Sequence, residues 1–264
     1  MRFATVNDVT IYYGVAGNPS KSTIVFANSL GTDFRIWQDV ALDLVNDYRV
    51  VLYDKRGHGL SDVPKGPYTM DDQVNDLIAL LEYLGIDQVT VCGVSVGGMI
   101  AQGLAARAPE RIKALVLCDT AQKIGTVELW NDRMDAVRAG GLGAIADSVM
   151  DRWFSTLFLE QQVAQLHGYR NMFTQTSVEG YLATCAAIRD TDLSETTAQI
   201  KFPTLCVCGE EDGATPPELV ESLALLVEGS WYERITGAGH LPSVEQPQNL
   251  ARHIRKFLAA HDVV

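Results

Sequence analysis

The sequence predicts an α/β fold in which helices cover both faces of a mostly parallel sheet and a helical insertion interrupts the pattern. Short β-branched apolar runs alternate with helix-forming segments through about the first 120 residues. The alternation stops near Thr120 and resumes at Phe202. A length of 264 residues suits one large domain that carries an insertion.

The strands follow from apolar runs of strand length. The first segment, FATVNDVTIYYGVAG, alternates as a hairpin does, and STIVFA, YRVVLYD, QVTVCG and IKALVLCD read as buried strands. Because helical segments separate these runs, the crossovers are predicted to be right-handed and the strands parallel. Ligand sites in such sheets lie beyond the carboxyl ends of the strands.

Helices are predicted on both sides of the interruption. TMDDQVNDLIALLEYLG spaces its apolar residues at the helical period, and Thr69 is a suitable N-cap. After the strand in FPTLCVCGEED, we predict a helix from about Pro217, a strand in WYERIT, and an amphipathic helix from Gln246.

The interruption predicts a helical cap over residues 121–199, with residues 1–120 and 200–264 forming the core. The segment contains no proline and no convincing strand, and its aromatic residues stand among helix-favouring ones. The GLGAIAD stretch inside it is interpreted as a joint between helices.

Composition excludes several classes of function. A net charge of −12 without a cluster of Lys or Arg argues against nucleic acid. The amino-terminal segment lacks the apolar core of a secretory signal, and no apolar run approaches the length of a membrane span, so we expect a cytoplasmic protein with no membrane association. Four of the five cysteines lie in strand-like runs and are interpreted as reduced core residues; no metal site is predicted.

One motif predicts catalytic residues. Residues 93–97 read GVSVG, a G-x-S-x-G pattern between a predicted strand and a predicted helix. In this context the glycines permit a sharp, strained turn that exposes the serine hydroxyl above the sheet. Ser95 is therefore the predicted nucleophile, and the Val96 N–H, at the start of the helix, is a predicted donor to a developing oxyanion.

A serine nucleophile needs a base and an orienting carboxylate. His240, in the glycine-flanked loop TGAGHLP after the last predicted strand, is the preferred base, and His58 in DKRGHGLS is the alternative. The loop GEEDGATPP offers three carboxylates between which spacing alone does not choose: Glu210, Glu211 and Asp212.

The order of serine, acid and histidine, together with five segments, resembles the α/β-hydrolase fold family over nearly the full chain. The segments are NSLGTD, DKRGHGLSD, GVSVGG, GEEDGATPP and GAGHLPSVEQP. The resemblance implies that Asp212, the Asp of a G-x-x-D-x-x-x-P pattern, is the acid and that His240 is the base. It also implies that Leu30 supplies the second oxyanion N–H beside Val96.

Within that family, FANSLGTDFRIW resembles the 3-oxoadipate enol-lactonases of aromatic catabolism, since most relatives carry His-Gly where this chain has Asn28-Ser29. The segments RWF at 152–154 and TCAAIRDTDL at 184–193 also resemble that group, whereas Val96 replaces its more usual Met or Leu. The resemblance implies hydrolysis of a small carboxylated lactone through an acyl-enzyme, which requires no cofactor and no metal. The alternatives are another serine hydrolase of this fold, such as a carboxylesterase, a carbon–carbon bond hydrolase or a perhydrolase, and a non-enzymatic receptor.

A carboxylated lactone requires a cation in its pocket, and three arginines lie in the predicted cap. Arg133 is the first choice, because its guanidinium can hold a carboxylate at two points while the nearby Trp130 indole covers the ring. Trp153, in the RWF segment, is a further candidate for contact with substrate. Arg152 and Arg189 are the alternatives for this role, although a surface position beside an acidic neighbour is favoured for both.

Overall fold

A computed structural model describes residues 1–263, in which eight strands form one sheet in the order β1-β2-β4-β3-β5-β6-β7-β8. The first two strands form an antiparallel hairpin, β2 pairs antiparallel with β4, and all remaining pairs are parallel. The strands are β1 (Arg2–Val6), β2 (Val9–Ala16), β3 (Thr23–Ala27), β4 (Arg49–Tyr53), β5 (Val89–Val94), β6 (Ile112–Cys118), β7 (Thr204–Gly209) and β8 (Trp231–Ile235).

Burial explains which strands occupy the centre of the sheet. Every residue of β3, β5 and β7 is buried, as expected for strands covered on both faces, whereas β8 at the edge is largely half-buried. The parallel strands end at one edge of the sheet, so the loops that follow them meet there.

Helices cover both faces, and the predicted α/β fold is confirmed. The predicted N-cap Thr69 accepts a hydrogen bond from the Asp72 N–H, while the Asp72 carboxylate accepts from the Thr69 N–H, a capping box that starts the second helix. Helices α1 and α12 pack together, as do α2 and α3. The helices outside the insertion are α1 (Gln38–Leu44), α2 (Met70–Tyr83), α3 (Val96–Arg107), α10 (Pro217–Leu226), α11 (Pro242–Glu245) and α12 (Pro247–Ala260).

The segment between β6 and β7, which we call the lid, is helical as predicted and contains no strand among its described residues. A 3₁₀ turn at Leu142–Ala144 joins the first two helices at the GLGAIAD stretch. Glycines 57 and 180 approach so closely that a Cβ on Gly180 would lie 2.2 Å from the Gly57 carbonyl oxygen. The lid therefore rests directly on the loop after β4. Its helices are α4 (Val127–Gly140), α5 (Ala146–Trp153), α6 (Thr156–Gln161), α7 (Val163–Thr174), α8 (Val178–Arg189) and α9 (Ser194–Thr197).

Within residues 1–263, no helix has both the length and the apolar character that crossing a bilayer requires.

Candidate active site

Ser95 occupies the bend between β5 and α3. Its φ of 57° and ψ of −121° are a conformation that a residue with a side chain rarely adopts. The backbone holds this geometry because the Ser95 N–H donates to the carbonyl oxygens of Cys118 and Asp119, each at 3.1 Å. The bend thus presents the hydroxyl at the carboxyl edge of the sheet, as the motif predicts.

The two glycines of the motif are required by close backbone approach. A Cβ on Gly93 would lie 2.2 Å from the Gly97 carbonyl oxygen, and one on Gly97 would lie 2.1 Å from the Ala27 carbonyl oxygen. Neither distance is compatible with a side chain, and the obstructing atoms belong to backbone. The strand-to-helix bend therefore depends on glycine at both positions.

His240 and Asp212 form a buried pair. His240 Nδ1 donates to Asp212 Oδ2 at 2.9 Å, and the Thr215 hydroxyl lies 3.2 Å from the same nitrogen. The His240 N–H donates to the Trp153 carbonyl at 2.8 Å, which joins this loop to the lid. Because Nδ1 is occupied, Nε2 is the nitrogen free to accept a proton, and its neighbour is the Ser29 hydroxyl at 3.4 Å.

Asp212 is held as a carboxylate by four donors. Oδ1 accepts from the N–H groups of Ala214 at 2.7 Å and Thr215 at 3.0 Å, and Oδ2 accepts from the Thr215 hydroxyl at 2.7 Å as well as from His240. Burial acts to raise the pKa of this carboxyl, but the charge of His240 and these hydrogen bonds oppose it and bring the pKa below its ordinary value. Asp212 is thus equipped to orient an imidazole.

The structure separates the alternatives that spacing left open. Glu210 and Glu211 are exposed, and Glu211 Oε2 accepts from the Thr156 N–H at 2.9 Å instead of approaching His240. His58, the alternative base, is buried, and its Nε2 accepts from the Gly31 N–H at 2.9 Å. Burial lowers the pKa of His58 well below its ordinary value, so this imidazole is a neutral structural acceptor.

Two backbone N–H groups are available for an oxyanion. Leu30 lies in the turn after β3, and Val96 is the first residue of α3. Neither the Leu30 N–H nor the Val96 N–H has a hydrogen-bond acceptor in the part of the chain that the structure describes. Buried N–H groups without partners are rare, and at a helix start beside a nucleophile they suit a developing negative charge.

The predicted residues converge on one cavity of about 60 Å³. Asp212 and Val96 adjoin it through their neighbours His240 and Ser95. The remaining predicted site residues line it directly: Leu30, Ser95, Trp130, Arg133, Trp153 and His240.

The cavity contains two cations without acidic partners. Arg133 lies over the Trp130 ring, 5.4 Å from the ring centroid, and Arg152 Nε donates to the Gly213 carbonyl at 3.1 Å. Within residues 1–263, neither guanidinium forms an ion pair. Burial lowers the pKa of Arg152, and the charge of Arg133 lowers it further.

Arg152 therefore lies in the site, although the sequence ranked it below Arg133. It was expected to lie on the surface beside an acidic neighbour, but its partner is a carbonyl 61 residues away, which no local pattern reveals. Arg189 does behave as expected, since it pairs with Asp190 at 2.7 Å on the exposed side of the lid.

Both tryptophans serve the lid core as well as the cavity wall. Each is 5% exposed. The Trp130 indole N–H donates to the Ile124 carbonyl at 2.6 Å, and the Trp153 ring packs edge-on against Phe154 and Phe173. They are fixed surfaces against which a small ligand can rest.

A further buried carboxyl group, that of Asp119, lies close to the His240–Asp212 pair. Asp119, in the bend after β6, accepts from the Gly209 N–H at 2.7 Å, and burial and the nearby Asp212 charge raise its pKa well above the ordinary value. Ligand atoms of Asp119, Asp212 and His240 lie within 4.8 Å of one another, the distance range of a metal site. The Asp212–His240 hydrogen bond instead gives the geometry of an oriented base, and the expectation of no metal stays a prediction.

Comparisons with known proteins identify the family to which the chain belongs. A family model described as the α/β-hydrolase fold matches residues 22–145. 3-oxoadipate enol-lactonase 2 of Acinetobacter baylyi is 36% identical over 92% of this chain and 91% of its own length, and 3-oxoadipate enol-lactonase 1 of the same organism is 33% identical over 94% and 93%. The crystal structure of an enol-lactonase from Burkholderia xenovorans LB400 superposes with a TM-score of 0.95 at 36% identity, covering 98% of this chain and all of that one. The chain therefore belongs to the α/β-hydrolase family of enzymes, within which it is similar to 3-oxoadipate enol-lactonases.

Proposed function

We propose that this protein hydrolyses 3-oxoadipate enol-lactone to 3-oxoadipate through an acyl-enzyme on Ser95, as a step in the catabolism of aromatic compounds. The observation that carries the proposal is that one cavity unites Ser95, the His240–Asp212 pair and two unpaired arginines. Nucleophile, base and anion-binding groups are what hydrolysis of a carboxylated lactone needs. The similarity to enol-lactonases supports the same substrate.

In the first half of the reaction, His240 Nε2 takes the Ser95 proton as Oγ attacks the lactone carbonyl. Negative charge moves to the carbonyl oxygen, which the Leu30 and Val96 N–H groups stabilise. Collapse of this intermediate breaks the bond to the ring oxygen, and His240 returns the proton to that oxygen. The leaving group is an enol, more acidic than an alcohol, so the protonation is undemanding.

The second half restores the enzyme. His240 removes a proton from water as the water oxygen attacks the acyl carbonyl of Ser95, and the same N–H groups stabilise the second oxyanion. The bond to Ser95 Oγ breaks, Oγ regains a proton from His240, and a carboxylic acid is released. The enol tautomerises to the ketone, which gives the oxo acid.

Size and charge of the cavity favour a compact anion as substrate. A volume of about 60 Å³ leaves no room for a long acyl chain. The Arg133 and Arg152 guanidiniums provide charge-assisted donors for a free carboxylate. Uncharged esters of similar size can reach Ser95 but lack this attraction.

Steady-state hydrolysis tests the proposal with two substrates, the enol-lactone and an uncharged short ester such as p-nitrophenyl acetate. Ser95→Ala is expected to remove more than 99% of activity toward both, because no other hydroxyl occupies the strained bend. Ser148→Ala, at an exposed position on the solvent side of α5, is the matched control and is expected to behave as wild type.

Two outcomes contradict the proposal at different levels. Activity above a few per cent in a folded Ser95→Ala variant would refute the nucleophile. Wild-type kcat/KM no higher for the enol-lactone than for the uncharged ester would refute the substrate but leave a serine hydrolase.

A further inference from the structure

We infer that Lys55 is a positioning residue for catalysis, whose buried ammonium fixes and polarises the peptide group that supplies one of the two oxyanion donors. The inference rests on the proposed function, since it concerns the oxyanion formed when Ser95 attacks. No motif points to it, because the loop DKRGHGLSD contributes none of the residues that perform the reaction.

The contact that carries the inference joins Lys55 to the turn after β3. Lys55 is 1% exposed, and its Nζ donates to the Ser29 carbonyl oxygen at 2.6 Å. That carbonyl belongs to the same peptide group as the Leu30 N–H. A peptide group is conjugated, so a cation on its oxygen draws electron density from nitrogen and makes the N–H a stronger donor.

Burying the Lys55 ammonium without an ion-pair partner costs free energy, which indicates that the charge has a functional role. Within residues 1–263 the ammonium forms no ion pair, although a buried charge is normally paired. The nearby Asp54 carboxylate is already bonded, since it accepts from the Phe34 N–H at 2.8 Å and the Leu60 N–H at 2.9 Å. A group retained at this expense beside a reaction centre points to function.

Lys55 is not needed merely to shape the turn. The Ser29 carbonyl also accepts from the Thr32 hydroxyl at 2.9 Å and the Thr32 N–H at 3.3 Å, and His58 holds the Gly31 N–H on the other side. These contacts remain when Lys55 is replaced. What the replacement removes is the positive charge and its one short hydrogen bond.

The peptide group that supplies the other oxyanion donor, the Val96 N–H, also has a side-chain donor on its carbonyl oxygen, but this donor is uncharged. The Ser95 carbonyl, in the peptide group of the Val96 N–H, accepts from the Thr120 hydroxyl at 2.6 Å. Both donor peptides thus receive a side-chain donor on their oxygen, an ammonium in one and a hydroxyl in the other. Thr120 therefore provides an internal comparison for the effect of charge.

Charge on the carbonyl oxygen matters most when the substrate oxygen becomes an anion. In a buried site the attraction between an ammonium and a developing oxyanion is weakly screened. The uncharged carbonyl oxygen of the bound substrate gains little from it. Lys55 is therefore expected to act on kcat and to leave KM almost unchanged.

The test compares Lys55→Met, Lys55→Gln and Thr120→Val with wild type on p-nitrophenyl acetate and on the enol-lactone, with Ser95→Ala as the reference for residual activity. At pH 6, where the Lys55 side chain is charged, Lys55→Met is expected to lower kcat about 10- to 100-fold on both substrates with KM within about twofold, less than the full loss of one oxyanion donor. Lys55→Gln, which keeps a donor without charge, is expected to fall between, and Thr120→Val to lose less than Lys55→Met. Affinity for phenylboronic acid, whose adduct with a serine imitates the oxyanion, is expected to fall in parallel with kcat/KM.

Circular dichroism and thermal unfolding verify folding, and Lys55→Gln decides the matter if Lys55→Met does not fold. A folded variant with kcat within twofold of wild type, or with a loss confined to KM, would overturn the inference. Activity that survives in Ser95→Ala would overturn the proposed function instead, so the two failures are distinguishable.

Discussion

The cavity has two walls of different construction. The core wall consists of loops after β3, β5, β7 and β8, where Ser95 and Asp212 are each fixed by several hydrogen bonds and by close backbone approach. The lid wall includes α4 and α5, where Arg133 is held by an aromatic ring and Arg152 by one carbonyl.

The contrast separates chemistry from recognition. Acyl transfer needs a hydroxyl, an imidazole and two N–H groups within tenths of an ångström, which only the strained, glycine-dependent backbone of the core supplies. A carboxylate tolerates several approaches to a guanidinium, so the lid can hold its arginines loosely. Substitutions in the core wall are accordingly expected to change kcat, and those in the lid wall to change KM.

The largest effect is expected from Asp212→Asn. The amide cannot stabilise the imidazolium and favours the wrong tautomer of His240, so kcat is expected to fall about 10³- to 10⁴-fold with little change in KM. Steady-state kinetics on the enol-lactone measure this. Glu210→Gln, in the same loop but exposed, is the matched control. A loss below tenfold would mean that the core wall does not depend on Asp212.

A paired glycine substitution sharpens the comparison of the two walls. Gly97→Ala places a methyl group 2.1 Å from the Ala27 carbonyl oxygen and is expected to cost about 3 kcal/mol or more, or to prevent folding. Gly143→Ala, in the lid, meets no atom within 4 Å and is expected to be nearly neutral. Thermal and urea unfolding measure both. Equal losses in the free energy of unfolding would contradict the claim that close backbone contacts constrain the bend at Gly97.

Arg133→Ala tests recognition by the lid. Loss of a charge-assisted contact of about 1.5 to 3 kcal/mol is expected to raise KM for the enol-lactone roughly 10- to 100-fold, with little effect on an uncharged ester. Arg138→Ala, which removes an exposed ion pair with Asp135 in the same helix, is the control and is expected to leave both substrates unaffected. Equal increases of KM for both substrates would remove Arg133 from anion binding.

The smallest effect, counted per pH unit, is expected in the pH dependence of stability. Burial lowers the pKa of Lys55 from 10.5 to about 7 against the opposing charges of Asp54 and Asp33. Between these pH values the unfolded chain binds more protons than the folded chain, so the free energy of unfolding gains at most about 1.4 kcal/mol per pH unit as pH rises.

Urea unfolding of wild type and Lys55→Met from pH 7 to pH 10 measures this slope as a difference, in which contributions shared by both proteins cancel. Identical slopes in the two proteins would contradict the lowered pKa.

The parts of the site that the sequence predicted are those encoded locally. The strand–GVSVG–helix context predicts Ser95 because the bend forms within five residues, and the glycine-flanked loop after β8 favours His240 over His58. Asp212 required the family resemblance, since nothing local distinguishes it from Glu210 and Glu211; the difference is burial and donors that only the folded loop provides.

The parts that the sequence did not predict depend on contacts between distant residues. Lys55 bonds a carbonyl 26 residues earlier, and Arg152 bonds one 61 residues later. The fold, by contrast, could be predicted from the alternation of strands and helices. Each strand of a parallel sheet is buried on both faces, so each one is a continuous apolar run in the sequence.

The most direct test of the central claim, that the core wall activates Ser95, is covalent labelling with a fluorophosphonate followed by peptide mapping. The Ser29 hydroxyl, 3.4 Å from His240 Nε2, is the internal competitor. We predict one label per chain, on the peptide that contains Ser95, with enol-lactone hydrolysis lost in proportion to labelling. A label on Ser29, or full labelling of Ser95 with activity retained, would contradict the account.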